Sequence, residues 1–191
     1  MINIFYSYVF TLLQKFIHKI IINDYYINLV LKSYKNLNNV LMVLKLHNQF
    51  KFSILTDIAA VDFLNLEKYR FEINYILSSL KNQSRLVLTI LCDEKSIIES
   101  STNIYSSSNW LEREIWDLYG IFFSNHGDLR RILTDYGFNG YPLRKNFPLN
   151  GYVEIRYDEE KQYLVYEPIE LMQNIRYFDF VNPFYRNYYI S

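Results

Sequence analysis

The sequence predicts an α+β fold. Over residues 1–119 it calls for an antiparallel-rich sheet with helices on one face, and over residues 120–191 for an extended, turn-rich C-terminal segment. Two observations carry this. In the front part, hydrophobic periods of 3.6 and 2 follow each other along the chain. All five glycines and all four prolines lie at or beyond Gly120, and these residues punctuate regular structure. With 191 residues, half of them hydrophobic, the chain can build a real core and is not disordered.

The elements follow in order. Phe5, Val9, Leu12, Phe16 and Ile20 recur at three- and four-residue steps and predict a helix over 4–20. Asp24–Leu31 reads as a strand. Leu37, Val40, Leu41 and Leu44 share one stripe and predict a helix over Tyr34–Leu46. Alternation then predicts strands at Phe52–Ile58, Tyr69–Leu77 and Arg85–Leu91. A further helix starts at Asn109, with Asn109 as N-cap and Glu112 as its capping-box partner. Arg113 and Asp117 are spaced to pair at i, i+4, and Gly120 suits the C-terminal cap.

Beyond Gly120 the texture changes. These 72 residues carry 17 Phe and Tyr but no sustained helical stripe. Rings in such number must be buried on some surface, and Tyr, Phe, Trp and Arg are enriched at protein interfaces. The expectation is a compact domain over 1–119 and an aromatic-rich partner-binding segment over 120–191.

Charge and cysteine usage remove whole classes of function. Twenty basic side chains balance twenty acidic ones, which speaks against nucleic-acid binding, since that needs a basic excess to displace counterions. Cys92 is the single thiol, so the chain forms no internal disulfide and cannot supply a multi-cysteine zinc or iron–sulfur site. The uncharged stretch Met1–Gln14 is too short to span a bilayer, so no transmembrane segment is expected. The wealth of Ile, Asn, Tyr and Phe reads as A/T-rich codon bias, and with no arginine before Arg70 no Arg-rich presequence is expected.

No catalytic constellation stands out. Glu112, Glu114 and Asp117 share one short helix and could do acid–base work, but the interleaved Arg113 favours a salt-bridged, solvated or interface-facing helix. His126 and Asp128 in NHGDLRR read as a turn hydrogen bond. Arg130 and Arg131, with Arg144 and Lys145 in YPLRKNFPL, form two basic clusters suited to pairing with local or partner carboxylates. No glycine-rich phosphate loop or metal-ligand spacing appears. The residues describe a binding or scaffold module, with no catalytic, cofactor or metal site.

The string from Asn109 to Phe184, NWLEREIWDLYGIFFSNHGDLRRILTDYGFNGYPLRKNFPLNGYVEIRYDEEKQYLVYEPIEL in its main part, closely resembles the signature of the 30-kDa subunit family of respiratory complex I. Weaker similarity continues upstream through LTDIAAVDF and RFEINYILSSL. The family usually has proline where Gly127 stands, and histidine and aspartate where Tyr141 and Asn146 stand. The resemblance implies a non-catalytic assembly subunit of the quinone-reducing module, packed against the 49-kDa subunit and other hydrophilic-arm subunits as an obligate hetero-oligomer. It implies that iron–sulfur clusters, FMN and quinone are held by neighbouring subunits. It also implies a place on the matrix side of the mitochondrial inner membrane, and the absent presequence then points to synthesis inside the organelle. The interface candidates are Trp110, Glu112, Arg113, Glu114, Asp128, Arg130, Arg131, Tyr141, Arg144, Lys145 and Phe147. Rival readings are a related subunit of a plastid dehydrogenase or a membrane-bound hydrogenase, and an RNA-binding protein that stacks bases on its rings.

Overall fold

The structure is a computed structural model that describes residues 11–23, 26–64, 69–173, 175, 176 and 178. The chain divides into two compact units, Met1–Leu149 and Asn150–Ser191. The first unit carries strands β1 (Ile17–Ile22), β2 (Ile27–Leu31), β3 (Ile54–Asp62), β4 (Phe71–Ser79) and β5 (Ser84–Cys92). They form one sheet in the order β1-β2-β5-β4-β3, antiparallel except where β2 runs parallel to β5.

Alternation along these strands sets which face is buried. Phe71, Ile73, Tyr75 and Leu77 of β4 lie opposite Cys92, Ile90, Leu88 and Leu86 of β5. Leu86 and Leu88 in turn lie opposite Ile27 and Leu29 of β2, so one continuous apolar sheet face forms the core. A 3-10 turn at Tyr34–Asn36 leads into α1 (Leu37–Leu46). The stripe Leu37, Val40, Leu41 and Leu44 is fully buried in that same core. Tyr105 is buried in the core too, where its hydroxyl donates to the Phe52 carbonyl (2.7 Å), and its own titration is pushed up by that burial.

After β5 the chain forms the short parallel pair β6 (Ile97–Glu99) and β7 (Phe122–Ser124) around α2 (Ser108–Tyr119). Among the described residues the second unit holds one antiparallel hairpin, β8 (Val153–Asp158) and β9 (Tyr163–Pro168). Asp158 stabilises its turn by accepting from the Glu160 and Lys161 amides (3.0 and 3.3 Å).

Three local expectations are corrected. The predicted helix 4–20 is helical at 11–13, then turns and becomes strand β1 from Ile17; its residues 4–10 lie outside the described residues. Isoleucine is β-branched and favours the sheet, and pairing with β2 decides the outcome. The expected capping box also fails. The N-cap of α2 is Ser107, without a side-chain cap bond, and Glu112 turns inward to other partners. Arg113 and Asp117 do not pair, because each finds partners more than a dozen residues later in the chain.

Candidate partner interface

The site is built on three buried carboxylates that fasten irregular chain to regular elements. Asp117 has no exposed surface. Its Oδ2 accepts from the amides of Ile132 (3.1 Å), Leu133 (2.7 Å) and Thr134 (2.9 Å). Its Oδ1 accepts from Arg131 Nη1 (2.9 Å) and from the Thr134 hydroxyl. Burial by itself would raise the Asp117 carboxyl, but the bonds from Thr134, Leu133 and Arg131 outweigh it and hold the group well below the usual carboxylate range.

Glu112 is equally buried. It accepts from the Ser100 hydroxyl (2.6 Å), the Ser101 amide (2.7 Å) and the Ser101 hydroxyl (2.7 Å). The His126 ring lies 4.0 Å away, itself buried. His126 Nδ1 accepts from the Asp128 amide (3.1 Å), which leaves Nε2 to donate to the Asn109 carbonyl (3.2 Å). The third carboxylate, Asp62 at the end of β3, takes a fork from Arg70 (2.8 and 3.0 Å) and the Lys145 amide (2.8 Å). The Arg70 hydrogen bond lowers its pKa against the opposing effect of burial.

Two of the signature's arginines, Arg131 and Arg144, close the C-terminal end of α2. A helix leaves its last four carbonyls without intrahelical donors. Here Trp116 receives the Gly120 amide (2.9 Å) and Asp117 receives Arg131 Nη1 (3.2 Å). Leu118 receives the Leu143 amide (3.1 Å) and Tyr119 receives Arg144 Nε (2.6 Å). Two of the four donors are cationic, which suits the negative end of the helix dipole. The same guanidiniums stack on rings: Arg131 on Phe138 and Tyr141, and Arg144 on Phe71 and Tyr141. Tyr141 also meets Trp116 edge-on at 6.0 Å.

Two glycines are needed by these close approaches. Gly120 has φ +75°, and a Cβ there would lie 2.5 Å from the Tyr141 ring. Gly140 has φ +106°, and its Cβ would lie 2.7 Å from the Phe147 ring.

The candidate residues therefore fall into two sets. Glu112 and Arg113 are buried, and Arg131, Tyr141, Arg144 and Phe147 are partly buried in the clamps and stacks. Arg113 lies over the Trp110 ring and donates to the Arg130 carbonyl (3.1 Å). Trp110, Glu114, Asp128, Arg130 and Lys145 are exposed; Asp128 and Arg130 pair with each other at 2.9 Å. At two of the three departures from the family pattern, Tyr141 supplies the stacking ring and Asn146 Oδ1 accepts from Arg70 (2.8 Å).

What the first unit leaves outside is apolar. Trp110 (64% exposed), Leu133, Tyr136 (94%), Leu143 and Leu149 all present large side chains to solvent. None of the last four was singled out from sequence, where Leu carries no signal of exposure. In the second unit the hairpin is largely exposed: Val153, Ile155, Tyr157, Leu164 and Tyr166 share one face and Tyr163 stands on the other. A lone two-stranded hairpin is marginal in water, and uncovered apolar surface of this kind marks an interaction site.

The residues do not fit a cluster-binding site. Cys92 is buried in the core and its thiol is pushed up to about 12, chiefly by burial, whereas a cluster needs several accessible thiolates. Among the described residues no group of three His, Cys, Asp or Glu side chains is placed to hold a metal.

Comparison with known proteins agrees with the architecture. Residues 31–153 match the family model described as the 30-kDa subunit of respiratory-chain NADH dehydrogenase. A protein of Beta trigyna named NADH dehydrogenase [ubiquinone] iron-sulfur protein 3 is 51% identical over 144 residues, 75% of this chain and 74% of its own. A protein of Paramagnetospirillum magneticum, named as one of the subunits of NADH-quinone oxidoreductase, is 52% identical over 132 residues, 69% and 66% of the two chains. NADH-ubiquinone oxidoreductase subunit 9 of Dictyostelium citrinum is 48% identical over 149 residues, 76% and 71%. A chain of the membrane-bound sulfane sulfur reductase, an archaeal respiratory membrane complex, shares the fold with a TM-score of 0.63 at 20% identity, covering 75% of this chain and 85% of that one. The match begins at the last residue of β2 and runs through every clamp described above, so the chain belongs to the 30-kDa subunit family of respiratory-chain NADH dehydrogenase.

Proposed function

We propose that this chain is a non-catalytic scaffold subunit of a proton-translocating NADH:ubiquinone oxidoreductase. It packs against the 49-kDa subunit and other hydrophilic-arm subunits in the quinone-reducing module, and it contributes to electron transfer only through the assembled complex. One observation carries the reading. The buried charged side chains of the signature are committed to internal bonds, while large apolar side chains stand outside. An enzyme site needs the reverse, polar groups converging on accessible space.

In this reading iron–sulfur clusters, FMN and quinone are held by neighbouring subunits, and this chain supports their fixed separation by rigid packing. Its place is peripheral, on the matrix side of the mitochondrial inner membrane. No helix among the described residues is long and apolar enough to cross a membrane, and similar proteins occur in Beta trigyna and Dictyostelium citrinum.

The test is co-purification followed by substitution. The chain should travel with NADH-dependent quinone reduction in a very large complex, and complexes carrying Glu114→Gln and Asp128→Asn should keep that activity within about twofold. Absence of the chain from that complex, or loss of turnover in a fully assembled variant, would refute it.

A further inference from the structure

Resting on that reading, we propose that the free edge of β1 receives an acidic, extended segment of another subunit, which joins the five-stranded sheet as a sixth strand. β1 is terminal in the sheet order, so among the described residues one side of its backbone has no partner strand. The hairpin with β2 closes with the Asn23 amide donating to the Tyr26 carbonyl, and its register pairs Ile21 with Asn28 and Lys19 with Val30. In an antiparallel ladder bonded pairs alternate with non-bonded ones. The backbone groups of Lys19 and Ile21 therefore face β2, and those of Ile20 and Ile22 face the open edge.

Proteins usually blunt such edges, and the opposite edge shows how. β3 carries a bulge between Leu55 and Asp57, has Asp57 exposed, and lies beside the start of α2, where the Ser107 hydroxyl donates to Leu55 (3.2 Å). β1 has its irregularity before Lys19 and then runs unbroken through Ile20, Ile21 and Ile22, with Ile22 60% exposed. That is the form of a strand kept open for pairing.

Charge identifies the occupant. Residues 1–56 hold six lysines and a single acid, Asp24, while the remainder holds 14 basic and 19 acidic side chains. The zero net charge thus hides a basic end. Lys15, Lys19 and Lys32 lie on or beside β1, Lys35 follows in the 3-10 turn after β2, and all four are exposed. Among the described residues none of these four is in an ion pair, and Lys32 Nζ donates only to the Gln14 and Lys15 carbonyls (3.4 and 3.3 Å). Steering and register here favour an acidic partner, and only a polypeptide offers the alternating donors and acceptors that the backbones of Ile20 and Ile22 require.

Hydrogen exchange on the purified complex and on the isolated full chain tests this. The amides of Ile20 and Ile22 should exchange about 100-fold more slowly in the complex, with Lys19 and Ile21 nearly unchanged. A carbodiimide should join Lys15 or Lys19 to a Glu or Asp of another subunit. Lys15→Glu with Lys19→Glu should abolish that protection, and Arg at both positions should restore it. Equal exchange in complex and isolated chain would overturn the proposal, whether both are fast or both are already slow because residues 1–10 cover the edge. Cross-links confined to this chain would overturn it as well. Equal protection on vesicles of phosphatidylcholine and phosphatidylserine, without the other subunits, would instead assign the edge to a membrane surface. Absence of the chain from the complex would remove the scaffold reading too, whereas a chain present with unprotected amides would remove this proposal alone.

Discussion

Asp117 sits in the last turn of α2, where the helix dipole disfavours an anion, and it has no exposed surface. Five donors from residues 131–134 make that position tenable. Asp117→Asn should lower stability by about 3 kcal/mol, since an amide turns an NH2 toward donors that then lack an acceptor; chemical denaturation measures it. The pH dependence has a definite sign. The folded-state pKa of Asp117 is depressed, so its contribution is complete above the unfolded value of about 3.9 and is lost as pH falls through the folded value. The wild type should therefore lose stability below about pH 5 more steeply than the Asn variant. A core residue gives the opposite expectation. Tyr75 is fully buried, and its hydroxyl has no hydrogen-bond partner among the described residues. Removing that oxygen relieves a desolvated group, so Tyr75→Phe should leave stability unchanged or raise it by about 1 kcal/mol. A loss of that size in a thermal melt would mean the hydroxyl is satisfied after all.

At the scale of elements, α2 holds the site together because its C-terminal carbonyls are closed by Gly120, Arg131, Leu143 and Arg144. Gly120→Ala should destabilise the chain by about 2–3 kcal/mol, combining a left-handed backbone with a Cβ driven into the Tyr141 ring. Gly127→Ala, where a Cβ meets nothing within 4 Å, should be neutral or stabilise by up to about 1 kcal/mol. Urea midpoints for the two variants would separate a conformational requirement from a mere turn preference. This contrast shows what was legible in the sequence. Gly120 as a cap could be read because a cap is local, as could α1 and strands β2 to β5, whose periods lie within a few residues. The fates of Glu112, Arg113 and Asp117 could not, since their partners lie 11 to 18 residues away and spacing within the helix suggested pairs that do not form. β1 was misread for a related reason: a short isoleucine-rich run satisfies a helical stripe as well as a strand, and only pairing with β2 decides.

On the scale of the whole molecule, the two units differ in how they bury apolar surface. Met1–Leu149 has a core of sheet and helix, whereas the described part of Asn150–Ser191 offers a hairpin with rings on both faces and one buried residue, Asp158. Each exposed Tyr or Leu of the hairpin gains about 1.5–3 kcal/mol on full burial, so several of them seated on a partner outweigh the cost of ordering the segment. The first unit needs nothing from them for its own core. A chain ending at Asn150 should therefore keep a cooperative melt within about 5 °C of the full chain, yet fail to enter the assembled complex. The sharper variant keeps the backbone and replaces Tyr157, Leu164 and Tyr166 with serine. It should leave the melt of the isolated chain unchanged while reducing incorporation at least tenfold, a loss of about 1.4 kcal/mol or more in binding. Native gels of the assembling complex read the second quantity and thermal melts the first. Incorporation of the triple variant at wild-type level would show that the hairpin's rings are not what binds the partner. A collapse of the melt would show that they belong to the chain's own interior.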